Sequence, residues 1–148
     1  MIAGFYLIDE ADFPSDNLSW AAPFEAGPVI DRIKEKGGSW GDAAIDLQHY
    51  ADFFEIFEVL ADMPDYFREC AIAGSPGAAL TNTPGSWRLG YFDAAIVPHL
   101  LGVLQIERDT IEAKAEAIGE DAAHFMLVFE EALEEAKSRQ LALAITHD

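Results

Sequence analysis

The chain has 148 residues, enough for one domain, and 51% of them are hydrophobic, so a core can form without disulfide or metal staples. Acidic residues outnumber basic ones 27 to 9, a formal net charge of −18. Phosphate backbones and anionic membranes call for Lys and Arg, so both are disfavoured as partners, while a basic protein is favoured.

The N-terminus MIAGFYLIDE has no basic residues ahead of its apolar run, and no run in the chain reaches the ~18 apolar residues of a membrane span. The expectation is therefore a cytoplasmic protein. Met1 to Ile8 reads as a buried strand that stops at Asp9. Residues 9–27 read as irregular, with Trp20 and Phe24 as anchors. PVIDRIKEKG, residues 28–37, reads as a short helix, with Pro28 in its first turn and Gly37 at its stop.

GGSWGD, Gly37 to Asp42, matches the G-x-S-x-G nucleophile elbow of hydrolases. That elbow follows a strand, whereas the preceding segment here reads as helical. The better reading makes Ser39 a helix cap with Asp42 completing a capping box. The next helix is then predicted from about Gly41 to Leu60. Leu47, Tyr50, Ala51, Phe54 and Phe57 recur at helical steps, widened by Phe53, Ile56 and Leu60. Opposite them Asp42, Asp46, His49, Asp52, Glu55, Glu58 and Asp62 form an acidic ridge.

Pro64 ends that helix, and DYFRECAIAG makes a short second piece closed by Gly74. Residues 75–86, SPGAALTNTPGS, read as a loop without the Gly-Lys-Ser/Thr ending of a phosphate-binding loop. SWRLGYF reads as a strand. Asp93 is the expected cap of a helix carrying Ile96, Val97, Leu100, Leu101 and Leu104, with Pro98 disturbing its first turns. Thr110 starts a short helix that Gly119 ends. EDAAHFMLVFEEALEEAKSR forms the last helix, and LALAI closes the chain as a strand. The architecture implied is α+β: a single domain over 1–148, with a small antiparallel or mixed sheet (strands near 1–8, 86–92 and 140–146) covered by several helices.

Chemistry-bearing constellations are few. Asp46-x-x-His49-x-x-Asp52-x-x-Glu55 puts carboxylates and an imidazole on one helix face, a set that hard divalent ions accept. A metal centre between helices needs a second contribution, for which Glu120 and His124 are the candidates. A solvated acidic face explains the same residues without an ion. Cys70, the single cysteine, reads as a buried thiol among Phe67, Ala71 and Ile72. It also excludes an internal disulfide and a multi-cysteine zinc site. His99, inside an apolar helix, reads as a packed core or interface residue. Trp20, Phe24, Trp40, Tyr50, Tyr66, Phe67, Trp87, Tyr91 and Phe92 are each expected in the core, with two or three exposed beside carboxylates as anchors.

YFDAAIVPHLLGVL from Tyr91, a short helix, then FMLVFEEALEEAKSRQLALAI together resemble the C-terminal part of the bacterial YfbM-like family of unknown function. The resemblance covers the last third of the chain; only Trp40 loosely matches the family's tryptophan-led helix. It implies an α+β domain and transfers no site residues. By type, a small acidic single-domain protein is also similar to bacterial toxin-immunity proteins.

The functional expectation is a non-enzymatic acidic binding domain, an immunity protein that neutralises a cognate toxin. Asp46, Asp52, Glu55, Glu58, Asp62 and Tyr66 would meet the basic partner. The alternative is a small metal-dependent hydrolase or ligand-binding domain built on His49 and its neighbouring carboxylates. No cofactor, nucleic acid or membrane is expected, and a homodimer stays open.

Overall fold

Strand β1, Ile2–Ile8, turns Ala3, Phe5 and Leu7 into the hydrophobic core, as the period-2 pattern of a strand requires. In the computed structural model the described residues are 2–9, 11, 34–35, 37–60, 89–92 and 94–147. After β1 come β2 (Gly38–Ala44), α1 (Leu47–Leu60), β3 (Leu89–Phe92), α2 (Val97–Ile106), α3 (Arg108–Ile118), α4 (Glu120–Arg139) and β4 (Ala142–His147).

The strands form one sheet in the order β2-β1-β4-β3, antiparallel at every junction. Register places Phe5 opposite Ile145 and Leu7 opposite Leu143, so the core face of β1 continues across β4. The fold is α+β, with the helices packed on that face. Helix α4 touches β1, β2 and β4 as well as the other helices, and is the central support. Its Phe125 and Phe129 meet Phe5, Phe53, Phe54 and Phe92, with Phe53–Phe125 ring centroids 5.3 Å apart and Phe92–Phe129 5.7 Å apart.

Strand β2 corrects the reading of GGSWGD. The segment is extended, Ser39 does not cap a helix, and α1 begins at Leu47 rather than Gly41. Ser39 pairs with Tyr6 and Gly41 with Phe5, which leaves Trp40 as the extra residue of a bulge. Trp40 is 38% exposed there. GSWGDAA buries a single side chain, Ala43, so the strand carries no apolar alternation that a sequence pattern could register.

Helix α2 corrects a second expectation. It starts at Val97 with Ile96 at its N-cap, and Pro98 stands in the first turn, where its missing N–H costs nothing. His99 is exposed, which removes the core alternative for it. Helix α3 ends at Gly119, and α4 spans the segment predicted for it. Helix α4 closes on Gln140 in the left-handed conformation (φ 56°), with the Leu141 N–H donating back to the Ala136 carbonyl at 2.8 Å. That tight stop turns the chain directly into β4. Of the helix expected over 28–37, residues 34 and 35 are helical and Gly37 lies outside the helix. Its remainder, Trp20, Phe24, the second piece after Pro64 with Phe67 and Cys70, the 75–86 loop, Trp87 and Asp93 lie outside the described residues.

Candidate functional site

Helix α1 divides as its sequence dictates. Tyr50, Phe53, Phe54 and Phe57 are buried, while Asp46, just ahead of the helix, and Glu55 are exposed and Asp52 is half-buried on the other side. Burial pushes the Tyr50 phenol above its ordinary value, as expected for a core tyrosine. Exposed Val59, at 76%, interrupts the outer face near the helix end.

Asp46 does two jobs at the start of α1. Its Oδ1 accepts the N–H groups of Gln48 (2.9 Å) and His49 (3.3 Å), which makes it the N-cap. Its own N–H donates to Asp121 Oδ2 at 2.9 Å. Asp121 lies in the first turn of α4, where its Oδ1 also accepts the Ala122 N–H at 2.8 Å. The His49 ring completes the cluster, with Nδ1 2.8 and 2.9 Å from the two Asp121 oxygens. One carboxylate thus joins the N-termini of two helices.

Gly119 makes the approach sterically possible. Its backbone is extended and places no demand for glycine, but a Cβ there would stand 2.7 Å from Asp121 Oδ1 and 3.2 Å from His49 Cε1. The side chains of His49 and Asp121 are 35% and 29% exposed, so the pair sits at the rim of the core. The Asp121 hydrogen bond raises the His49 pKa, partial desolvation opposes it, and the charges of Asp121, Asp46 and Asp52 add to the rise. Desolvation pushes the Asp121 carboxyl up. The Asp46 amide, His49 and the Ala122 amide outweigh that and hold it below its ordinary value.

The outer row follows from this anchor. Asp46, His49, Asp52 and Glu55 recur every three residues, and Gln48 Nε2 donates to Asp52 Oδ1 at 2.9 Å. Among the described residues no Lys or Arg forms an ion pair with Asp46, Asp52 or Glu55. Two arginines pair elsewhere: Arg108 donates to both Glu130 oxygens, Oε2 at 2.6 Å, and Arg139 reaches Glu135 at 3.9 Å. Glu58 belongs to α1, but its side chain, like Asp62 and Tyr66, lies outside the described residues. Asp42, placed on the ridge by sequence, is on β2 instead.

Sequence reasoning missed Asp121. Its partner His49 is 72 residues away, a juxtaposition that no local pattern encodes. The available signal was an acidic pair, Glu120-Asp121, directly after the helix-ending Gly119, which favours a helix N-terminus. Glu120 and His124, the candidates for a second metal contribution, are both exposed. Among the described residues no group of three or more His, Cys, Asp or Glu side chains is placed to hold a metal ion. An imidazole with a carboxylate on Nδ1 is half of a general-base constellation. The ring bonds to Asp121 alone among the described residues, with no hydroxyl or thiol on its other nitrogen.

No protein-family model matches this chain, and no curated protein or solved structure matches it either.

Proposed function

We propose that this domain is a non-enzymatic binding protein whose acidic outer face on α1 engages a basic protein, and that it serves as an immunity protein against a cognate toxin. The observation that carries the reading is the row Asp46, Asp52 and Glu55, which faces outward with no Lys or Arg paired to it among the described residues. A row free of paired Lys and Arg among the described residues, on a helix anchored at its N-terminus, presents charge in a fixed geometry, which favours rapid, oriented encounter with a basic surface. Glu58, Asp62 and Tyr66 join the proposed contact on their sequence positions alone. The toxin assignment rests on type: a small acidic domain fits the blocking of a basic active-site cleft.

Affinity capture of the tagged protein from lysate of its own organism, eluted in rising salt, tests the reading. A basic protein released as salt screens the contact is the expected result. Capture of an acidic protein, or of one whose release is indifferent to salt, would contradict it.

A further inference from the structure

We propose that His49 and Asp121 form a protonation-controlled clasp between the N-termini of α1 and α4, drawn tight when the imidazole is charged and slackened when it is neutral. The device stands on geometry and is independent of what the outer face binds. Asp121 receives three donors from two helices: the Asp46 amide, the His49 ring and its neighbour Ala122. Among the described residues the ring is the only side-chain donor to Asp121, the others being backbone amides, and loss of its charge weakens that bond.

The surroundings favour the charged form. A helix end carries about half a charge, and two such positive ends, those of α1 and α4, stand near the ring. Against them are one full carboxylate charge at 2.8 Å, the nearby carboxylates of Asp46 and Asp52, and the negative C-terminal end of α3 at Gly119. Among the described residues, the charged side chains acting on the ring are Asp121 from α4, Asp52 from α1 and its cap Asp46. Helix α3 contributes its terminus. The bare backbone at Gly119 leaves room for the two side chains to meet, since a Cβ there would stand 2.7 Å from Asp121 Oδ1 and 3.3 Å from His49 Nδ1.

The clasp sits under the first turn of α1, so its state is felt at the Asp46 amide, which shares the Asp121 carboxylate with the ring. The test is NMR titration of the His49 ring in the intact protein, assigned by loss of its signal in His49→Gln, with amide exchange at Asp46 expressed as protection over the free-chain rate. The expected result is a midpoint above the ordinary 6.5 in wild type. Asp121→Asn, which keeps the shape and removes the charge, brings that midpoint down. Protection at Asp46 falls severalfold as His49 loses its proton. A wild-type midpoint at or below 6.5, an identical midpoint in Asp121→Asn, or Asp46 protection that is flat through the His49 titration would each overturn the proposal.

Discussion

Asp46 carries both a cap and a cross-helix bond, so its replacement is a sharper probe than its exposure suggests. Asp46→Ala removes the acceptor for the Gln48 and His49 amides and is expected to cost about 1 kcal/mol, measured by denaturant unfolding. Thr146 sits on the opposite side of the balance. Its buried hydroxyl has no hydrogen-bond partner among the described residues, so Thr146→Val, which keeps the shape, is expected to stabilise by about 1 kcal/mol. The His49–Asp121 pair adds a pH dependence with a definite sign. The raised His49 pKa contributes stability that is full below 6.5 and lost as pH rises through the folded value. The lowered Asp121 pKa contributes stability present above 3.8 and lost as pH falls through its folded value. The melting-temperature gap between wild type and Asp121→Asn should therefore be widest between 3.8 and 6.5 and narrow on either side.

At the scale of elements, α4 is the support on which the rest is assembled, and its aromatic residues join the sheet to α1. Phe129 meets Phe53, Phe54, Phe57 and Phe92 at once, and truncation to Ala is expected to cost about 3–5 kcal/mol in equilibrium unfolding. The elements with strong periodicity were legible in the residue pattern alone: β1 from its apolar run, α4 to its bounds, and β4 from LALAI. On α1 the spacing of Tyr50, Phe53, Phe54 and Phe57 announced the buried face in the same way. Strand β2 was not legible, because its stability comes from pairing with β1 and a bulge at Trp40, and neither leaves an apolar signature in GSWGDAA. The start of α1 was displaced for a related reason. Ser39 and Asp46 are both competent caps by residue type, and pairing with β1 draws Ser39 into the sheet and leaves Asp46 to begin the helix.

At the scale of the whole molecule, a charge of −18 favours the basic partner proposed above, while location decides which charges count. Salt screens exposed charges beyond about 8 Å, so a row of carboxylates with no paired Lys or Arg among the described residues matters more than the total. The three-residue recurrence of polar side chains made the outer face of α1 legible in the sequence. The interior anchor of that face was not, since His49 and Asp121 meet only through the packing of α1 on α4. Among the described residues no helix is long and apolar enough to cross a membrane, which agrees with the absence of a long apolar run. Binding of a basic protein to the α1 row by charge is tested most directly by comparing the captured partner's affinity for wild type and for the double variant Asp52→Lys/Glu55→Lys. The variant should bind much more weakly, with a flatter salt dependence, while keeping the folded circular-dichroism spectrum of wild type. Equal affinity for the two proteins would contradict a role for the row.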